Sequence, residues 1–180
     1  GATIGEICIQ ARGIRDAFAR PDGSSDAPVC LCVRDRSRLL AALLASLAGG
    51  PRFILPHADH RGALEEVRRV LPFRQLLTDF ETEVPDGVEA VPCPSCRPRG
   101  GGLAPIRDPD EVFLHLFTGG STGKPRSWSK TSRNLFGEAF FLAEALGIGK
   151  GDVLLSTAPP QHIYGLLCSM LVPFAAAARV

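Results

Sequence analysis

The chain has almost no net charge and no long uninterrupted apolar segment. Its 180 residues include 20 Lys and Arg and 19 Asp and Glu, which leaves a net charge of +1. Proteins that bind nucleic acids or membrane surfaces usually carry a basic excess, so we expect neither partner. The longest apolar run, residues 164–178, contains Pro173 and falls short of the roughly 20 residues that a membrane helix needs. No basic segment followed by an apolar run opens the chain, so no secretory signal is visible and a soluble cytoplasmic protein is expected.

The six cysteines are scattered and do not form a recognisable set of metal ligands. Cys93 and Cys96 form a single C-x-x-C, whereas a structural zinc site normally needs four ligands. His57 and His60 could supply the second pair, but nothing in the spacing links the two halves. Prolines flank the C-x-x-C and no helix follows it, which also disfavours a redox role. We therefore predict no metal site, and a zinc-binding domain stays the weaker alternative.

Segments typical of strands and of helices alternate along the chain. This alternation predicts an α/β fold with a parallel-type sheet and crossover helices on both faces. Strands are predicted at 29–33, 52–56, 74–79, 112–117 and 152–157, with a weaker prediction at 88–91. Helices are predicted at 38–47, 61–71, 132–148 and 166–177, the last one kinked or broken at Pro173.

Local signals support two of these elements. Ser37 is a suitable N-cap for the first predicted helix, and Gly49 and Gly50 stop it. That helix is apolar nearly all round, which predicts that it is buried. Cys30 and Cys32 stand two apart in a predicted strand and would share one face as small buried hydrophobes.

The regular periodicity fails between residues 81 and 110, where prolines and a glycine run are concentrated. The prediction therefore divides the chain into a first α/β unit at 1–80, an irregular connection at 81–110 and a second ordered unit at 111–180. Thr131 or Ser132 is placed to cap the first helix of the second unit.

A glycine-rich loop, Thr118 to Pro125 with the sequence TGGSTGKP, directly follows a predicted strand. Glycines let the backbone turn so that several N–H groups can point at one anion. The hydroxyls and the lysine of the loop add further donors and a positive charge, and a polyphosphate is the anion that uses all of them. The predicted phosphate-binding residues are Thr118, Gly119, Gly120, Ser121, Thr122, Gly123 and Lys124.

This loop does not match the P-loop of kinases and GTPases, G-x-x-x-x-G-K-S/T. The first glycine position is Thr118, and Lys124 is followed by Pro125 instead of the Ser or Thr that would hold magnesium. A flexible Gly/Ser linker is the plainer alternative, but a linker is not expected between a clear strand and a helix that begins a few residues later.

The segment FTGGSTGKPRSWSKTSRNL resembles the phosphate-loop motif of the adenylate-forming superfamily, Y/F-T-S/G-G-S/T-T-G-x-P-K-G followed by T-H-x-N. A second segment, PPQHIYG, resembles the P-x-x-H-x-Y-G of the family, with His162, Tyr164 and Gly165 in register. The resemblance covers about residues 29–180. The sequence departs from the family at four positions, where the family has Lys, Gly, a small aliphatic residue and His; these are Arg126, Ser127, Trp128 and Ser132.

The resemblance implies a ligase that activates a small carboxylic acid with ATP and Mg²⁺. Acyl-AMP forms with release of pyrophosphate, and a thiol of CoA or of an acyl carrier protein then takes the acyl group. It also implies that the loop holds the departing pyrophosphate, that His162 is catalytic, and that His162, Tyr164 and Gly165 lie at the carboxylate pocket. The adenine- and ribose-binding motifs and the catalytic lysine of the family would follow after Val180, so we expect an N-terminal portion that is inactive alone and prone to self-association. The alternative is a non-catalytic nucleotide- or carrier-protein-binding module with the same fold.

Overall fold

The computed structural model describes residues 2–19, 27–94, 103, 107–119 and 125–179. Within these ranges the chain forms strands, α-helices and one π-helical segment. In chain order they are α1 (Ile4–Ala17), β1 (Val29–Cys32), α2 (Arg36–Leu47), β2 (Phe53–Leu55), α3 (Arg61–Val70), β3 (Gln75–Thr78), β4 (Glu89–Pro92), β5 (Val112–Thr118), β6 (Arg126–Thr131), α4 (Ser132–Ala145), α5 (Ile163–Leu166), the π segment (Leu167–Leu171) and α6 (Val172–Ala176).

The strands form one sheet in the order β4-β3-β1-β2-β5-β6. Neighbouring strands are parallel except β5 and β6, which are antiparallel. α2 connects β1 to β2 and α3 connects β2 to β3, because successive parallel strands need a crossover. The predicted α/β fold with a mainly parallel sheet is confirmed, and β4 corresponds to the weaker strand prediction at 88–91. The division into 1–80, 81–110 and 111–180 stays a prediction.

Helices cover both faces of the sheet. On one face, α1, α2, α4 and the last helical region share a large apolar cluster that includes Leu43. On the other face, Leu64 of α3 packs with Cys30 and Cys32. Alternate residues of a strand point to opposite faces, which is why Leu31 belongs to the first cluster and its two neighbours to the second. The predictions that helices lie on both faces and that the two cysteines share one face are therefore confirmed.

α2 begins at Arg36, two residues earlier than predicted, because Asp35 and not Ser37 is its N-cap. The Asp35 carboxylate accepts hydrogen bonds from the backbone nitrogens of Ser37 and Arg38 at 2.8 and 3.1 Å. The Ser37 hydroxyl also donates to this carboxylate, and it is the main cause that holds the pKa of Asp35 below its usual value. The helix ends at Leu47 and is followed by Gly49 at a φ of 84°, as the two predicted stop glycines suggest.

Two elements have no counterpart in the prediction. α1 starts with a capping box in which Glu6 N donates to Thr3 Oγ1 at 3.3 Å and Thr3 N donates to Glu6 Oε2 at 2.7 Å. β6 runs antiparallel to β5, with Arg126 opposite Thr118. The helix that follows β6 is capped by Thr131, as predicted.

The predicted strand at 152–157 is wrong. Val153 makes only an isolated parallel bridge to Arg179, and Leu155 is 95% exposed, so this segment does not present the buried face that a strand needs. The last helical region begins at Ile163, earlier than predicted, and continues through Pro173 without a break. The change from π-helix to α-helix comes directly before Pro173, which occupies the first turn of α6, so the irregularity predicted at this proline takes the form of a π segment and not of a break. Within the described ranges, no helix is long and apolar enough to cross a bilayer.

Candidate functional site

The glycine-rich loop begins at the carboxyl edge of the sheet. Thr118 at the end of β5 pairs with Arg126 at the start of β6, so residues 119–125 join two neighbouring strands. Thr118 and Gly119 are exposed at this edge, where open α/β sheets bind their ligands. The other predicted phosphate ligands lie outside the described residues, and their phosphate contacts stay predictions; they are Gly120, Ser121, Thr122, Gly123 and Lys124.

A cleft of about 220 Å³ opens at the same edge. Its walls are residues 31–34 at the end of β1, residues 56–59 after β2 and Phe80 after β3. Residues of the turn before α5, including Gln161 and His162, complete the lining. β1 and β2 are adjacent, and the helices that follow them, α2 and α3, lie on opposite faces of the sheet, which opens a crevice between the ends of these two strands.

His162 is the predicted site residue that lines this cleft. Its backbone N donates to the Pro159 carbonyl at 3.0 Å, and its own carbonyl accepts from Leu166 N at 2.8 Å, at the N-cap position of α5. The imidazole makes no capping hydrogen bond, and the residue is exposed. The backbone therefore fixes the turn while leaving the imidazole accessible to a ligand.

Tyr164 and Gly165 are not among the residues that line the cleft. Tyr164 is 75% exposed, whereas Gly165 is buried. A Cβ on Gly165 would lie 1.9 Å from the carbonyl oxygen of Pro159, so the turn that carries His162 folds directly over this glycine. The assignment of Tyr164 and Gly165 to the carboxylate pocket stays a prediction.

His57 lies between the start of the glycine loop and the His162 turn, although no sequence motif assigns it a role beyond the zinc alternative. It lines the cleft together with His162, and a Cβ on Gly119 would lie 3.3 Å from its Cδ2. Its Nδ1 is buried and has no hydrogen-bond partner in the part of the chain that the structure describes. Sequence reasoning missed His57 because these neighbours come from distant segments that only the fold brings together.

The zinc alternative gains no support from the placement of its ligands. His60 is the N-cap of α3, where its Nδ1 accepts a hydrogen bond from Ala63 N at 3.2 Å. Cys96 lies outside the described residues, so the C-x-x-C cannot be placed as a pair. Among the residues that are described, no three His, Cys, Asp or Glu side chains form a metal-binding group.

A charged network holds the wall of the cleft in place. The Arg34 guanidinium donates to Asp59 Oδ2 at 2.9 Å and lies 3.8 Å from the centre of the Phe80 ring. The backbone nitrogens of Arg34 and Asp35 each donate to the Asp79 carboxylate at 3.0 Å, which ties the end of β1 to the segment after β3. Because Arg34 is paired with Asp59, the cleft offers a ligand mainly imidazole and amide groups, from His57, His162 and Gln161.

Comparison with curated proteins finds acid–CoA ligases. The chain is 28% identical over 127 residues to the sulfoacetate–CoA ligase of Cupriavidus necator, covering 68% of this chain and 25% of that protein. It is 26% identical over 166 residues to the mitochondrial malonate–CoA ligase ACSF3 of Mus musculus, covering 79% of this chain and 27% of that protein. The chain thus spans about a quarter of the length of these relatives.

Two solved structures share the fold of this chain. The o-succinylbenzoate coenzyme A synthetase of Bacillus subtilis, in complex with ATP and magnesium, matches with a TM-score of 0.77 at 19% identity over 99% of this chain and 50% of that one. The N-terminal subdomain of Klebsiella oxytoca NpsA matches with a TM-score of 0.72 at 20% identity over 95% of this chain and 46% of that one. Residues 28–180 match the AMP-binding enzyme family, and the chain therefore belongs to that family, as the two sequence motifs predicted.

Proposed function

We propose that this chain forms the phosphate-handling part of a ligase that activates a small carboxylic acid with ATP. In the first step an oxygen of the acid attacks the α-phosphorus of ATP, a bond to that phosphorus forms, and pyrophosphate leaves with the electron pair of the broken bond. In the second step the thiol of CoA or of a carrier protein attacks the acyl carbon and AMP leaves. One observation carries the proposal: His57 lies beside Gly119, the first residue of the glycine loop, and lines the same cleft as His162, so the two motifs, which are distant in sequence, lie at one edge of the sheet.

Phosphate binding is assigned to the loop that starts at Thr118. Thr118 and Gly119 are exposed where the loop leaves β5 and would offer a hydroxyl and a backbone N–H, and residues 120–124 would add N–H and hydroxyl donors and one ammonium. Donors held in place by the sheet stabilise charge that develops on departing pyrophosphate without reorganising during the reaction. Mg²⁺, which prefers oxygen ligands, would be held largely by the phosphates that it accompanies.

The acid is assigned to the neighbourhood of His162. The imidazole is exposed on a turn fixed by backbone hydrogen bonds, and it lines a cleft with few charged groups left unpaired. An imidazole in this position can orient a carboxylate by hydrogen bonding as it approaches the α-phosphorus. Two relatives are named for sulfoacetate and malonate and another for a fatty acid, which supports a carboxylic acid as substrate; the panel of acids in the test distinguishes a short acid from a long one.

The test measures acid-dependent exchange of labelled pyrophosphate into ATP, using the complete protein and a panel of short, fatty and aromatic acids. Exchange with one class of acid is the expected result. Lys124→Ala should lower the exchange rate about 10- to 100-fold, because a charge-assisted contact to phosphate is lost. Lys150→Ala, which removes an exposed lysine from the turn after α4, is the matched control and should leave the rate unchanged. Exchange with no acid, or equal rates for the two variants, would overturn the assignment.

A further inference from the structure

Gly119 and His57 meet because their strands are neighbours. β2 and β5 are parallel and adjacent, with Leu55 opposite Leu116, so the segments that follow them leave the sheet side by side. His57 follows β2 and Gly119 follows β5. The contact therefore joins the start of the phosphate loop to the wall of the cleft.

The ring of His57 lies close beside Gly119. A Cβ built on Gly119 would lie 3.3 Å from Cδ2, 3.8 Å from Cγ and 3.9 Å from Nε2 of His57, so a side chain at residue 119 would press on the imidazole and the ring would have to shift by a few tenths of an ångström. Gly119 is not among the glycines with a positive φ, which are residues 49, 87, 147 and 151. Close approach of the imidazole, and not the backbone conformation, is thus what favours glycine here.

Within the described residues, no hydrogen bond to Nδ1 holds the ring of His57. That nitrogen is buried and has no partner in the described part of the chain, although buried polar atoms are usually paired. The ring instead lies between the backbone of Gly119 and the cleft that His162 also lines. Among the described residues, packing against Gly119 is therefore the interaction by which His57 can act on the loop.

We propose that His57 is a positioning residue that sets the direction in which the chain enters the phosphate loop at Gly119. This inference rests on the proposed function, since the loop is taken to bind the phosphates of ATP. Loss of the ring would let the first residue of the loop move into the cleft, and the donors of the loop would no longer be aligned before ATP binds. A misalignment of this kind weakens binding of ATP while the reacting groups themselves are unchanged.

The experiment is a double-mutant cycle in the complete protein, with KM for ATP, KM for the acid and kcat measured by pyrophosphate exchange. His57→Ala and Gly119→Ala should each raise KM for ATP about tenfold, with kcat and KM for the acid within about twofold of wild type. KM for ATP in the double variant should be no higher than in either single variant, because removing the ring makes room for the new methyl group. Gly137→Ala, where a Cβ meets nothing within 4 Å, is the control and should change neither constant.

Additive effects in the double variant, or an unchanged KM for ATP in His57→Ala, would overturn the positioning role. The circular dichroism spectrum and the urea midpoint of each variant show whether it is folded, so a folding defect is not mistaken for a loss of binding. If the complete protein shows no exchange with any acid, the proposed function fails; the cycle is then repeated with equilibrium binding of ATP, where additive effects reject the contact and a coupled result supports it.

Discussion

Replacing Gly165 with alanine should destabilise the protein, because the added methyl group would clash with the backbone of the preceding turn. A Cβ at this position would lie 1.9 Å from the carbonyl oxygen of Pro159, 2.4 Å from its carbon and 2.8 Å from the carbonyl oxygen of Ala158. Real Cβ atoms essentially never come within 3.0 Å of such atoms, so the backbone at 158–159 must move by about 1.1 Å, the difference between 3.0 and 1.9 Å. This movement would strain the hydrogen bond from His162 N to Pro159 O.

Overpacking of a buried site typically costs about 1–3 kcal/mol, and a clash with backbone belongs at the upper end because no side chain can rotate away. With an m-value of about 2 kcal/mol per molar urea, Gly165→Ala should lower the urea midpoint by about 1 M. Gly137→Ala is the matched control: this glycine is exposed within α4, a Cβ there meets nothing, and alanine should stabilise the helix by about 0.5–1 kcal/mol. The two substitutions add the same methyl group and should have opposite signs. Equal midpoints for Gly165→Ala and wild type would show that the turn does not pack on Gly165.

Two further predictions concern stability. Asp35→Ala should lower the free energy of unfolding in urea by about 1 kcal/mol, since the backbone nitrogens of Ser37 and Arg38 lose their acceptor. Asp35→Ser should retain most of the stability. Equal losses in the two variants would contradict the capping role. The pKa of His115 is lowered by burial and by the charge of Arg52, so the folded protein binds this proton less readily than the unfolded chain. The contribution of His115 to the free energy of unfolding should therefore be present above the ordinary imidazole pKa of about 6.5 and be lost as the pH falls below it. His115→Gln should flatten this pH dependence of the urea midpoint. An unchanged slope would refute the assignment.

The parts of the fold that could be predicted are those whose signal is local. The strands at the centre of the sheet are short apolar runs next to turn residues, and α3 carries its apolar residues at helical spacing. α1 was also within reach, because Thr3 and Glu6 have the spacing of a capping box, but the prediction did not use that signal. β6 could not be found in this way. Its residues are mostly exposed and polar, and pairing with β5 is what makes the segment a strand.

The same distinction between local and long-range signals applies to the candidate site. His162 and the residues of the glycine loop were predicted because their motifs are contiguous in sequence. His57 was not, since its contact with Gly119 depends on the adjacency of β2 and β5, which no local pattern encodes. The error at 152–157 has the opposite origin: Leu155 belongs to an apolar run typical of a strand, yet the fold leaves it 95% exposed.

The edge strands of the sheet limit how the protein can form larger aggregates. Among the described strands, β4 and β6 are the outermost pair. β4 contains a proline, Pro92, and β6 carries the cationic side chains of Arg126 and Lys130. Proline and like charges discourage the docking of a foreign strand, so neither border is a good template for fibril growth. Self-association of this chain, as expected from its sequence, should for that reason proceed through exposed apolar side chains such as Phe140 and Phe141 and not through cross-β pairing at these two strands.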